Sequence, residues 1–512
     1  MSSTNQTPSH APAPEGATAG DEYFAERSLK KGAAGWVLLA GLGVAYVISG
    51  DFAGWNNGLT TGGFGGLTVA FVLMGIMYVT MVLGLAEMSS ALPTAGAGYG
   101  FARRAMGRVG GFATGTAILI EYAIAPAAIV TFIGDYVIGF FPADKQAQLE
   151  HWRWAIYLFF YLIFICIHIF GVGEALRLMF IITAIAVVSL LVFIFAVAGG
   201  FDAHNLTNIT GLFAGGQVPP GTNHLFPFGM SGTISSLIFG IWFFLAIEGV
   251  PLAAEETKDP KRDLPRGIIV GVLILVFTGL AVLLLGTGAS NPGQLGPQGA
   301  PLLTAMHNVH APTWTIEFVN IAGLAGLIAS FFSIIFAYSR QTFALSRAGY
   351  LPQWLSLTSK RKTPVWALLV PGIIGYVLAV ALSAHYNYTV ALKDAVVAGN
   401  PPGATLIDIA VFGATVSYAL MNLSHMILRT REPKLERGYV TPGGRITTGI
   451  AFVLSLVAIF AVFNYDWKSA LISLAVFAVI MLYYALYSRH HLVANAPEEE
   501  FALIESATGD LH

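Results

Sequence analysis

Long apolar runs recur along the chain with short polar interruptions, and each is close to the roughly 20 residues that a helix needs to cross a bilayer. They fall at 36 to 60, 64 to 92, 110 to 141, 153 to 171, 176 to 200, 231 to 254, 267 to 288, 316 to 338, 364 to 384, 404 to 428, 447 to 463 and 469 to 487. The first run is broken from within by Ile48-Ser49-Gly50-Asp51-Phe52-Ala53-Gly54, an acid set among small residues. The sixth is broken at Ala246-Ile247-Glu248-Gly249-Val250-Pro251, again an acid beside glycine and proline. Unwound backbone at membrane depth is tolerated only where it is buried in protein or lines a cavity. A charged residue at the centre of a span costs about 2.5 to 3.5 kcal/mol on insertion scales, so an acid there marks function. Interrupted spans at corresponding places in two halves point to an inverted repeat with a binding centre at the midplane.

The pattern therefore predicts an all-α integral membrane protein of twelve transmembrane helices, a five-plus-five inverted repeat with broken helices 1 and 6. The first repeat covers about 34–200, the second about 231–428, and two additional helices about 447–487. Residues 1–33 and 489–512 are expected as cytoplasmic tails, the first rich in Ala, Pro, Ser and Thr, without the apolar core of a cleavable signal.

Composition agrees, since 55% of the 512 residues are hydrophobic and only 11% are charged, which excludes an ordinary soluble globule. All but four of the 26 Lys and Arg residues fall in the tails and alternate loops, the exceptions being Lys145, Arg153, Lys393 and Lys468. That asymmetry places both termini in the cytoplasm. No basic tract is continuous, so the basic loops read as topology and not as nucleic-acid binding. The lone Cys166 excludes an intramolecular disulfide and is expected as a small packing residue. Enzyme readings find no support. There is no His-Glu-x-x-His and no Gly-Lys-Ser/Thr loop, and Gly41-Leu42-Gly43 is followed by Tyr46 where a dinucleotide loop needs glycine. No cofactor is expected.

Three further stretches carry a family resemblance: Leu85-Ala86-Glu87-Met88 running to Pro93-Thr94-Ala95-Gly96-Ala97-Gly98-Tyr99, Ala253-Ala254-Glu255-Glu256-Thr257-Lys258-Asp259-Pro260, and Leu345-Ser346-Arg347-Ala348-Gly349-Tyr350-Leu351-Pro352. Over about residues 30–490 the chain resembles the amino acid, polyamine and organocation permeases. The resemblance implies the LeuT-like fold, alternating access and a bacterial cytoplasmic membrane location. Lys31-Gly32-Ala33-Ala34-Gly35-Trp36, Ser49-Gly50-Asp51-Phe52-Ala53-Gly54-Trp55-Asn56 and Ala113-Thr114-Gly115-Thr116-Ala117-Ile118-Leu119-Ile120-Glu121-Tyr122 are similar to the bacterial ethanolamine permease group. The function so implied is secondary active import of ethanolamine, a small primary amine. The alternatives are an amino acid permease or exchanger of the same superfamily and, in another class, an amine-conducting channel.

In the resemblance, Ser49 and Gly50 stand where amino-acid carriers hold a substrate carboxylate on exposed N–H groups of a half-helix. Asp51 follows at once with a carboxylate of its own, which repels such a substrate and attracts an ammonium. Its other reading is a cap on the second half of the broken helix. Tyr46, Phe243 and Ala246 are further expected contacts, and Trp242 is an occluding aromatic or a core residue. Glu121 is a second anionic partner or a buried paired acid. Glu248 is a coupling or gating acid or a structural hydrogen-bonding one. Glu87, His168 and Asp135 read as structural. A lysine that some proton-coupled relatives carry in the fifth span is Ala186 here. That leaves three modes open: coupling to a proton through a carboxylate, coupling to sodium held near Ser330 and Ser333, and no coupling at all.

Overall fold

The computed structural model describes residues 34–93, 96–170, 172–391 and 400–493. The expected N-terminal tail and nearly all of the C-terminal tail lie outside those residues.

The principal helices among the described residues are α1 (Trp36–Val47), α2 (Asn57–Ala91), α3 (Gly98–Gly139), α4 (Arg153–Phe170), α5 (Val172–Ala198), α6 (Gly229–Glu256), α7 (Pro260–Ala289), α8 (Thr313–Arg347), α9 (Val365–Ala391), α10 (Pro402–Arg431), α11 (Arg445–Tyr465) and α12 (Trp467–Leu486). Eleven of them are long and apolar enough to cross a membrane. The twelfth, α1, is short because it breaks: one more turn, Ser49–Phe52, follows it, and the chain then runs extended through Ala53. The second half of the broken span begins at Asn57 and turns into the next span at Gly63, whose φ is +70. A Cβ there would lie 2.4 Å from the Pro227 ring, so glycine is required by conformation and by space together.

Burial sorts the helices by role. The apolar window of α6 is 100% buried and that of α12 only 17%, which sets the broken helix at the centre and α12 at the rim. Exposed Trp152, Trp154, Trp314 and Trp467 mark the end at which α4, α8 and α12 begin, and exposed Trp36, Trp354 and Trp366 mark the other. Two such aromatic belts suit the two interfaces of a bilayer. Cys166 is exposed on the outer face of α4, not packed as expected, because its neighbours Phe164 and Ile165 take the inward positions.

The end carrying Trp36 is tied shut. The Ala34 N–H donates to the Glu256 carbonyl at 3.1 Å, and the Lys258 N–H donates to the Ala34 carbonyl at 2.9 Å. Arg340 of α8 donates through Nη2 to Glu256 Oε1 at 2.6 Å, the side chains being 4% and 7% exposed. Removing one partner of a buried pair costs about 3 to 5 kcal/mol. Arg340→Gln is expected to open this end: Thr257→Cys, buried beside the pair, should react several-fold faster with an impermeant thiol reagent in a Cys166→Ser background. Unchanged labelling would show that the ion pair does not hold the closure.

Candidate functional site

The two broken helices meet backbone to backbone. A Cβ on Gly50 would come within 2.5 Å of the Trp242 carbonyl oxygen. The Trp242 indole N–H donates to the Ala53 carbonyl at 3.0 Å, so a side chain of α6 satisfies an acceptor freed by the break of the first span. Gly54, with φ +93, lies under the same indole. In α6 the chain turns at Ala246, a non-glycine residue at φ +77, ψ 5. Strain of about 1 to 3 kcal/mol at such a position persists only where its surroundings enforce it.

Consecutive residues of the first break serve different helices. The Ser49 hydroxyl is 2.8 Å from that of Ser330 in α8, which donates to the Tyr46 carbonyl at 2.6 Å. Phe52 packs toward Gly323 and Gly326 of α8, beside Ala186 of α5. Asp51 faces Thr278 of α7. The Thr278 hydroxyl spends its hydrogen on the Ile274 carbonyl at 3.1 Å. Both carboxyl oxygens of Asp51, only 1% exposed, are left without a hydrogen-bond partner. The capping alternative for Asp51 is therefore not realised. Asn56 does the local work, accepting the Gly54 N–H at 3.1 Å and donating to the Leu295, Gly296 and Gln298 carbonyls.

The other two acids lie together. Tyr122 donates to Glu248 Oε1 at 2.8 Å, while the Tyr418 hydroxyl stands 3.1 Å from Glu248 Oε2 and 3.0 Å from Glu121 Oε1. Tyr78 donates to the Tyr418 hydroxyl at 2.9 Å. The Tyr46 ring lies over Gly249, and its hydroxyl is buried without a partner. Glu121 thus belongs to the Glu248 cluster and not to the surroundings of Asp51.

Trp242 packs against Phe132 of α3, ring centroids 6.2 Å apart. Phe132 in turn lines a cavity of about 310 Å³ with Asn57, Asp135, Gln298 and Ala404. Phe243 points the other way, edge-on to Phe71 at 5.0 Å and beside Trp55, so the neighbours Trp242 and Phe243 face opposite sides of the break. Ser333 keeps a buried hydroxyl without a partner.

The acids expected to be structural are engaged. Glu87 receives the Nε of Arg429 and of Arg437, each at 2.7 Å. Asp135 receives Arg153 at 2.6 Å, and His168 stacks on Phe332. Sequence reasoning missed Tyr78, Tyr418 and Asp408. Asp408 is fully buried in α10 with both oxygens unpartnered, and as an acid inside an apolar run it carried the same signal that exposed Asp51.

Comparison with known proteins covers nearly the whole chain. The amino acid permease family model matches residues 36–486. A branched-chain amino acid permease of Bacillus subtilis is 26% identical over 92% of this chain and 96% of the relative. A methylthioribose transporter of the same organism is 25% identical over 89% of this chain and 93% of the relative. An aromatic amino acid transport protein of Escherichia coli is 25% identical over 73% of this chain and 76% of the relative. With the twelve-helix fold and its two interrupted helices, the match over residues 36–486 makes this chain a member of the amino acid permease family, within the amino acid, polyamine and organocation superfamily.

Proposed function

We propose that this permease imports ethanolamine, a primary amine cation, by alternating access, with Asp51 as the counter-charge of the ammonium and both chain termini in the cytoplasm. The observation that carries the reading is the Asp51 carboxylate, buried at the break with neither oxygen partnered. A buried charge is stable only when it is paired, and a bound ammonium supplies the pair. An amino acid would bring its own carboxylate to the same break and meet repulsion. Glu248 is the coupling acid of this reading. A sodium-coupled form would rest instead on Ser330, Ser333 and the Tyr46 carbonyl.

The second reading is an amino acid permease, favoured by the relative that matches 92% of this chain and is named for branched-chain amino acids. The two are separated by thermal shifts of purified protein with ethanolamine, choline, alanine, arginine, leucine and phenylalanine, because a ligand stabilises the state that binds it. Selective stabilisation by ethanolamine is expected. Selective stabilisation by an amino acid would transfer the substrate assignment to the second reading.

Trp242 closes the site on the side of the cavity. A cation under its ring gains up to about 2 kcal/mol when desolvated. Trp242→Leu is expected to weaken ethanolamine binding about tenfold and to slow transport, with Trp242→Phe recovering part of both. Both variants lose the bond to the Ala53 carbonyl, so the difference between them reports the aromatic face alone. Equal behaviour of Phe and Leu would remove that face from substrate binding.

A further inference from the structure

The hydrogen bonds around Tyr418 do not close as drawn. A phenol carries one hydrogen and accepts two bonds. Here Tyr78 donates to the Tyr418 hydroxyl, which lies within hydrogen-bond distance of two more oxygens, Glu121 Oε1 and Glu248 Oε2. The single Tyr418 hydrogen serves one of them. The other carboxyl oxygen then faces a lone pair across about the same distance unless it brings a hydrogen of its own. Glu248 Oε1 is already supplied by Tyr122, whereas Glu121 has no side-chain donor besides Tyr418, only the Ala246 backbone N–H standing toward it. The two carboxyls are also in contact with each other. A carboxyl pair makes such a contact only when a proton lies between its members. The cluster is one hydrogen short, and one proton on the acid pair completes it.

We infer that Glu121 and Glu248 form a single proton-binding site, in which two carboxyls share one proton and Tyr418 and Tyr78 form its hydrogen-bonded wall. The side chains facing the pair are phenols from four helices, Tyr46 of α1, Tyr78 of α2, Tyr122 of α3 and Tyr418 of α10, joined by the backbone N–H groups of Ala246 and Glu248 at the turn. The guanidinium of Arg340 beyond Tyr46 is already engaged by Glu256. Among the described residues no full charge of opposite sign is thus set against the pair, and the proton does the neutralising. The site joins α3 to the inner half of α6 just past the Ala246 turn. Losing the proton leaves two carboxylates in contact across that seam, and their repulsion in a low dielectric drives the helices apart. Proton release and movement of α6 away from α3 are therefore one event. This consequence for transport rests on Glu248 being the coupling acid; the shared proton itself rests only on the hydrogen count.

The test uses substrate-free, full-length protein in lipid nanodiscs, with glutamate carboxyls labelled by carbon-13 so that aspartates drop out of the infrared difference spectrum. Wild-type protein should show one label-sensitive, deuterium-sensitive carboxylic acid band from a buried glutamate. Glu121→Gln and Glu248→Gln should each abolish it, because the amide N–H supplies the missing hydrogen and lets the remaining acid ionise. The double variant should remove nothing further. Absence of the band in wild-type protein, a band of twice the intensity, or its survival in either single variant would overturn the shared proton. The wild-type spectrum decides even if the variants fold poorly. No ligand is added, so this test fails independently of the ethanolamine and gradient-uptake measurements.

Discussion

Asp51→Asn is expected to abolish high-affinity ethanolamine binding while leaving the protein folded. Stripping a desolvated ammonium of its only counter-charge costs about 3 to 5 kcal/mol, roughly 10² to 4 × 10³ in affinity. The same substitution should not destabilise the ligand-free protein. The one protein group set against its carboxyl, the Thr278 hydroxyl, can face the Asn oxygen equally well, and a neutral amide is cheaper to bury than a carboxylate. The expected pattern is thus an unchanged or raised apparent melting temperature without ligand and no further shift when ethanolamine is added, with isothermal titration on the same preparation giving the affinity. A variant that binds as tightly as wild type would end the ammonium role of Asp51, and one that unfolds would mean that its carboxylate has a structural partner.

Both breaks were legible in the sequence because their signal is local. Gly50 and Gly54, then Gly249 and Pro251, sit beside acids inside apolar runs, and that combination has few other uses in a membrane. Orientation was not legible. At an interrupted helix the 3.6-residue period lapses, so the period could not tell that Ser49 would meet α8, Gly50 α6 and Asp51 α7. Nor could it place Trp242 and Phe243 on opposite sides of the break.

The Glu121 and Glu248 cluster was hidden for a different reason. Its hydrogen-bonded pairs are 126 to 340 residues apart in the chain and meet only through tertiary packing. Tyr418 and Tyr78 look like any aromatic residue of an apolar span until their hydroxyls are counted. The strained turn also falls on Ala246 and not on the nearby Gly249, so the most informative backbone angle of α6 belongs to a residue with no unusual propensity. Asp408 shows the converse: its signal was present, but no glycine or proline drew attention to it.

In the proposed reading, the two acids with the largest expected effects divide the work of the site: Asp51, facing α7, answers the substrate's charge, and Glu248, facing α3 and α10, answers the proton. Glu248→Gln should therefore lose accumulation driven by a pH gradient yet keep substrate binding and exchange. Glutamine preserves the packing of the cluster, accepting from Tyr122 and donating toward Tyr418 or Glu121, but it cannot take up and release a proton. One pH unit is worth about 1.4 kcal/mol, so coupling of one proton per substrate sustains roughly tenfold accumulation per unit when the membrane potential is held at zero. The measurement is labelled ethanolamine uptake into proteoliposomes with an acidic exterior, beside equilibrium binding and counterflow on the same variant. Wild-type protein should concentrate the label, whereas the glutamine variant should only equilibrate it, with near-normal affinity and measurable exchange. If the glutamine variant concentrates ethanolamine as wild type does, Glu248 only holds the broken helix and the driving ion acts elsewhere, with Asp408 and the Ser330 region the places to search.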